Sequence, residues 1–108
     1  MNDDEEQKID YYFDRKGNPL SLEEWADLFK DKKYHAVCQE YIGKYYISTI
    51  WLGVNYNFYE GDPIIFETMV FANGSWSDLD MKRYSTEEEA LEGHREMCEK
   101  FKEMVDDE

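Results

Sequence analysis

The sequence predicts an α+β fold, in which an antiparallel sheet of three to five strands carries two helices on one of its faces. Two amphipathic stretches each begin with a capping box, which is typical of a helix start. The segments between them are rich in β-branched and aromatic residues and are separated by turn signals, which indicates strands. With 108 residues, the chain is expected to form one domain over 1–108, with frayed tails at about 1–8 and 105–108.

The N-terminal part is predicted to form a short strand over 11–13, a turn over 14–19 and then a helix. At the helix start, the Ser21 hydroxyl is expected to accept a hydrogen bond from the Glu24 amide, while the Glu24 carboxylate reaches back. We expect this helix to end near Lys30. One of its faces carries the apolar residues Leu22, Trp25, Ala26 and Phe29.

Four further strands are predicted, over 34–42, 45–52, 64–72 and 76–84. The last of them has the weakest alternation of apolar and polar residues. Gly43 and Lys44 are expected to connect the first two strands tightly. Asn73 and Gly74 predict a two-residue type I′ turn between the last two, because both residues accept the positive φ that this turn requires.

The strand predicted over 64–72 carries large apolar residues on both of its faces. Phe66 and Val70 point to one side, and Met69 and Phe71 point to the other. A sheet that faces water on one side alternates more cleanly than this. Since two helices cover only one face, we expect the second face to bind a partner, most simply another copy in a homodimer.

The C-terminal part is predicted to form one long helix, which begins with a capping box between Ser85 and Glu88. The apolar stripe of this helix comprises Leu91, His94, Cys98, Phe101 and Val105, with Ala90, Met97 and Met104 beside it. We expect the stripe to pack on the same sheet face as the first helix.

The composition is strongly acidic, with 26 acidic and 12 basic side chains and a formal net charge of -14. This charge repels bare nucleic acid and anionic membranes, whereas a basic partner protein remains allowed. No apolar run reaches the ~18 residues of a membrane span. The acidic N-terminus lacks the features of a signal peptide, so we expect a cytoplasmic protein whose two cysteines are reduced.

The acidic face of the last helix is a candidate partner-binding surface. Regularly spaced carboxylates there could imitate phosphates and occupy the basic nucleic-acid site of another protein. The alternative is that they form only a solvated helix face. The carboxylates considered for this role are Glu88, Glu89, Glu92, Glu96, Glu99 and Glu103.

The two histidines and two cysteines form the pairs His35–Cys38 and His94–Cys98, which have the residue types of a zinc site. His94 and Cys98 share a helix face, but residues three apart in a strand point to opposite faces. We therefore expect no metal and no cofactor. A catalytic cysteine needs a lowered thiol pKa, which the acidic background disfavours, so we expect no enzyme activity.

Glu67 lies within an apolar strand and is a candidate for an unusual carboxylate. With Trp51, Tyr56 and Tyr59 it could form a pocket, which makes a small enzyme or ligand-binding domain the alternative function. The simpler interpretation is that Glu67 pairs across strands with Lys44 or Arg83.

Several sequence motifs, in this order, resemble those of a group of small phage and prophage proteins that has no established activity. They are the stretches 14–19, 21–25, 48–53, 66–71 and 84–90 and the pair Gly93-His94, and together the resemblance covers about residues 11–101. The resemblance implies an accessory protein in the host cytoplasm that binds and inhibits a host or defence protein, or else a virion assembly component. The loop over 55–62 lacks the histidine that is frequent in the group, so no metal or acid–base role is expected there.

Overall fold

The computed structural model describes residues 10–107 and confirms the α+β class. Its elements in chain order are β1 (Tyr12–Phe13), β2 (Pro19–Leu20), α1 (Leu22–Lys30), α2 (Lys32–His35), β3 (Ala36–Ile42), β4 (Tyr45–Trp51), β5 (Phe66–Ala72), β6 (Asp78–Tyr84) and α3 (Glu87–Asp106). The expected N-terminal tail lies outside the described residues. Residues 105 and 106 of the expected C-terminal tail belong to α3, and residue 108 lies outside the described residues.

The main sheet has four antiparallel strands in the order β3-β4-β5-β6, and β1 and β2 form a separate small hairpin. Gly43 and Lys44 connect β3 to β4 as predicted, and Gly43 has the φ of +57° that this tight connection requires. The type I′ turn at Asn73-Gly74 was the wrong expectation, because Gly74 alone of this pair has a positive φ. The Asn73 amide instead donates to the Lys44 carbonyl at 2.7 Å, which ties this longer loop to the β3–β4 hairpin.

Helix α1 begins with the predicted capping box, since the Glu24 amide donates to Ser21 Oγ at 3.1 Å and the Ser21 amide donates to Glu24 Oε1 at 2.9 Å. The short helix α2 replaces the expected start of the first long strand. Its cap is Asp31, whose carboxylate accepts hydrogen bonds from two backbone amides that follow it. Strand β3 therefore begins at Ala36.

Helix α3 begins one residue later than expected, with Thr86 as its cap and Glu89 as the reciprocal acid. Its buried side is also rotated relative to the expected stripe, because Leu91 is 46% exposed. The buried residues of α3 are Ala90, Gly93, His94, Met97 and Phe101. A Cβ atom on Gly93 would lie 2.2 Å from the Tyr84 ring, so glycine allows the helix to approach β6 closely at this point.

Trp51 connects the small hairpin, α1 and the sheet. Its side chain is fully buried on the sheet face that α3 covers, and its indole Nε1 donates to the Phe13 carbonyl at 2.9 Å. The Phe13 amide donates to the Gly53 carbonyl at 2.8 Å. Helix α1 reaches this end of the face through the Phe29 ring, which lies 6.3 Å from that of Trp51 and stays 39% exposed. The expectation that Phe29 and Leu91 are core residues was therefore wrong.

Phe101 anchors the other end of α3, where its ring packs at 4.8 Å against that of Tyr45. The side chain is 3% exposed. Phe101→Ala should therefore lower the free energy of unfolding by about 3–5 kcal/mol, as measured by urea denaturation. Met104 on the same helix is 43% exposed, and Met104→Ala should change stability by no more than about 0.5 kcal/mol. A loss below about 1 kcal/mol for Phe101→Ala would show that α3 is not docked in this way.

Candidate functional site: the uncovered face of the sheet

The face of the main sheet that points away from α3 has no helix or strand packed on it among residues 10–107. The register places Tyr41, Tyr46 and Phe71 side by side across β3, β4 and β5. Trp76, in the β5–β6 loop, extends this row and is 85% exposed. We call this surface the open face, and its apolar residues are Tyr41, Tyr46, Met69, Phe71, Trp76 and Met81.

The aromatic rings of the open face surround a depression of about 310 Å³. The Tyr41 and Tyr46 rings lie 4.8 Å apart, and the Phe71 and Trp76 rings lie 5.8 Å apart in an edge-to-face arrangement. Residues of the β5–β6 loop form the remaining wall. The apolar residues on both sides of β5 therefore belong to two apolar faces of the sheet. Within the described chain, only one of these faces is covered by a helix.

Glu67 lies on the same side of the sheet, at the opposite end from Trp76, and is 5% exposed. Arg83, its direct neighbour on β6, donates from Nε to Glu67 Oε2 at 2.8 Å. The Tyr56 ring covers the Arg83 guanidinium at 4.4 Å. This confirms the expected cross-strand pair, with Arg83 as the partner, and it gives the buried carboxylate a structural role.

The candidate pocket of Trp51, Tyr56, Tyr59 and Glu67 does not come together. Trp51 pairs with Phe66, and neighbouring residues of β5 point to opposite faces, so that Trp51 and Glu67 lie on opposite sides of the sheet. Tyr59 is 88% exposed. Only Tyr56 approaches Glu67, and it does so through Arg83.

The carboxylate row of α3 is partly engaged within the chain itself. Glu89 accepts hydrogen bonds from backbone amides at the helix start, and Arg95 forms ion pairs with Glu92 and Glu99. Three of the six candidate acids have neither an ion pair nor a side-chain hydrogen bond within residues 10–107, and these are Glu88, Glu96 and Glu103. Arg95 lies three residues after Glu92 and four residues before Glu99, and the sequence alone predicts ion pairs at these spacings on a helix.

A second group of side chains lies between the edge strand β3 and α3. Cys38 and Glu40 alternate with outward residues and so share the face that α3 covers. His94 and Cys98 lie one helical turn apart on α3. Glu40 Oε1 is 2.9 Å from His94 Nε2, 3.7 Å from Cys38 Sγ and 3.8 Å from Cys98 Sγ. We call these four residues the Cys–His–Glu cluster.

His35 lies outside this cluster, as expected, but the reason differs from the predicted one, because His35 ends helix α2 and does not belong to strand β3. Its ring packs at 4.4 Å against that of Phe29. Burial lowers the pKa of His35, and its Nδ1 atom is buried with no hydrogen-bond partner within the described chain. The sequence analysis did not include Glu40, whose only signal was its position two residues after Cys38.

Both thiols of the cluster are poorly ionised at neutral pH. Burial raises the pKa of Cys38, and the Glu40 carboxylate raises it further. Burial, again with Glu40, raises the pKa of Cys98 to about 11. A nucleophilic cysteine needs a shift in the opposite direction.

Comparison of the chain with protein-family models, with curated proteins and with solved structures finds no match. Within residues 10–107, no helix has both the length and the apolar composition needed to cross a membrane. Arguments about function therefore depend on the geometry of the chain itself.

Arg83→Met should destabilise the protein by about 1–3 kcal/mol in urea unfolding, because it leaves the buried Glu67 carboxylate without its partner. The figure is moderate because the Arg83 side chain is 36% exposed. The double variant Glu67→Gln/Arg83→Met should regain part of this loss. If the single and double variants lose the same stability, the ion pair does not have the role described.

The raised pKa of Cys98 should make its alkylation slow. At about pH 8, a thiol of pKa about 11 has ~100-fold less thiolate than one at the ordinary value of 9.0. Iodoacetamide labelling, followed for each cysteine by peptide mass spectrometry, should be slow in the folded protein and should accelerate in Glu40→Gln. Glu103→Gln is the control and should have no effect. Equal labelling rates in folded and urea-unfolded protein would contradict the shift.

Proposed function

We propose that the protein acts by binding another protein, and that the open face is the docking surface. The observation that carries this proposal is the aromatic depression formed by Tyr46, Phe71 and Trp76 on a sheet face without a helix over it. Large exposed apolar patches on soluble proteins mark interaction sites. Aromatic residues around a pocket are also the side chains that contribute most to protein–protein affinity.

The partner that best fits is a protein with a basic, partly apolar surface. The formal net charge of -14 creates a long-range field that attracts such a protein and accelerates its association. The unpaired carboxylates of α3, at Glu88, Glu96 and Glu103, add to this field from the other side of the molecule. The open face itself supplies the apolar contact, and its one buried carboxylate is neutralised by Arg83.

The resemblance to phage and prophage proteins gives this binding a biological context. In that context, the basic partner is a host or defence protein, and occupation of its nucleic-acid surface would inhibit it. A virion assembly component would use the same face for a structural contact. We favour binding over catalysis because Glu67, the central acid of the candidate pocket, is already engaged by Arg83.

A homodimer through the open face is the second candidate, because the same apolar rings could pack against those of another copy. Helix α3 lies on the opposite side of the sheet, so that dimerisation would keep the two acidic helices apart. The two candidates respond to salt in opposite ways. Salt screens repulsion between like copies and strengthens a dimer, whereas it screens attraction to a basic partner and weakens that complex.

Affinity capture from the host at low salt should identify a basic protein, which is then purified and titrated with the wild-type chain. We expect its association rate to fall by about tenfold or more as salt is raised. Trp76→Ala should weaken the complex by about 2 kcal/mol. Met104→Ala changes an exposed apolar residue on α3 and should bind like the wild type.

Two outcomes would contradict the proposal. One is binding that Trp76→Ala and Phe71→Ala leave unchanged. The other is sedimentation equilibrium that shows a dimer, strengthened by salt and disrupted by Trp76→Ala, since the face would then be covered by a second copy. A single species at the monomer mass of 13.0 kDa in low and high salt would exclude the homodimer.

A further inference from the structure

The Cys–His–Glu cluster joins two elements that are far apart in the chain, and it borders an opening to solvent. The donor atoms of Cys38, Glu40 and His94 all lie within 4.8 Å of one another. The cavity in front of them has a volume of about 320 Å³ and is also lined by Cys98. An ion could therefore reach the donors without unfolding of the protein.

The donor atoms of Cys38, Glu40 and His94 are close enough together to share one zinc ion, and Cys98 lies beside Glu40 but outside that group of three. Zinc–sulfur bonds of about 2.3 Å and zinc–nitrogen or zinc–oxygen bonds of about 2.0 Å place neighbouring tetrahedral ligands about 3.3–3.8 Å apart. The two sulfur atoms lie 3.7 and 3.8 Å from Glu40 Oε1, and His94 Nε2 lies 2.9 Å from it. A side-chain rotation that brings Cys98 Sγ toward the other three donor atoms would complete a set of four ligands.

His94 is held in an orientation suited to this role. The residue is 3% exposed, and its Nδ1 atom is 2.7 Å from the Thr49 hydroxyl, which in turn contacts the Thr68 hydroxyl. Each hydroxyl both donates and accepts, so this chain fits either neutral tautomer of the imidazole. When Nδ1–H donates to Thr49, the Nε2 lone pair points toward Glu40 and the thiols. A hydrogen-bond partner on the other ring nitrogen is typical of histidines that bind metals.

We propose that Cys38, Glu40, His94 and Cys98 form a binding site for a thiophilic divalent cation of the Zn²⁺ type. The proposal is independent of the docking function of the open face. It revises the expectation that no metal binds. That expectation depended on His35, which does lie elsewhere, and it did not include Glu40.

Binding would exchange protons for the cation. The Cys38 and Cys98 thiols each release one proton to solvent and bind the cation as thiolates. Two positive charges enter as two protons leave, so the net charge of the cluster does not change. The other charged side chains that line the cavity are those of Arg95, Glu99 and Lys102.

A bound cation would link β3, an edge strand of the sheet, to α3. The cluster spans 54 residues between Glu40 and His94, so the ion would close a large loop of the unfolded chain. The role that follows is stabilisation of the helix–sheet contact, since all four donors are protein groups and no position remains open for a substrate.

Cobalt is the probe that tests the site. The reduced, chelator-treated chain is titrated with Co²⁺ alone and followed by absorption. We expect one Co²⁺ per chain, the visible bands of tetrahedral cobalt and a thiolate-to-cobalt charge-transfer band, all of which Zn²⁺ should abolish.

Matched variants separate the site from adventitious binding. Cys38→Ser and Cys98→Ser should each reduce the charge-transfer band and weaken binding by about 100-fold or more, and Glu40→Gln should weaken it by about tenfold or more. His35→Gln removes a histidine outside the cluster and should bind like the wild type. Circular dichroism checks that each variant is folded.

The wild-type spectrum decides the proposal even if a variant fails to fold. Saturating Co²⁺ without a charge-transfer band in the folded wild-type protein would overturn it. Stoichiometric binding that the double variant Cys38→Ser/Cys98→Ser leaves unchanged would also overturn it.

Discussion

A single long helix covers one side of a four-stranded sheet, and most features of this molecule follow from that one-sided contact. The contact is close because α3 presents Gly93 to Tyr84, where even one methyl group would collide with the ring. At this separation His94 reaches into the sheet and meets Thr49, and the polar cluster forms at the edge of the contact. Among the described elements, the same arrangement leaves the opposite sheet face without a helix, which is the origin of the proposed docking surface.

Some of the acidic side chains form ion pairs that connect different elements of the fold. Glu87, at the start of α3, pairs with Arg15 in the β1–β2 hairpin, and Asp80 on β6 pairs with Lys100 on α3. These bridges are largely at the surface and are individually weak. They place opposite charges where α3 meets the hairpin and β6. This reduces the electrostatic repulsion between these elements in a chain of net charge -14.

Local patterns predicted the elements well, and long-range contacts explain the errors. The capping box at Ser21 and the turn at Gly43 depend on neighbouring residues alone, so the sequence was sufficient for them. The prediction of which α3 residues are buried was partly wrong, because the apolar pattern does not show that α3 approaches the sheet most closely at Gly93. The candidate pocket was wrong because the register between β4 and β5 decides whether Trp51 and Glu67 lie on the same face of the sheet. Glu40 was overlooked since its partner His94 is 54 residues away.

The order of strands in the sheet has a kinetic consequence. Each strand of the main sheet after β3 pairs with the one before it in the chain, and α3 follows β6 directly, so the main sheet forms from sequential pairings, of which only the one across residues 52–65 closes a long loop. The β1–β2 hairpin differs, because Phe13 must find Trp51 and Gly53, which lie about forty residues further on. The β1–β2 hairpin is thus synthesised before the main sheet but reaches its native contacts after Trp51 has been made, and until then the Trp51 end of the core lacks this cover.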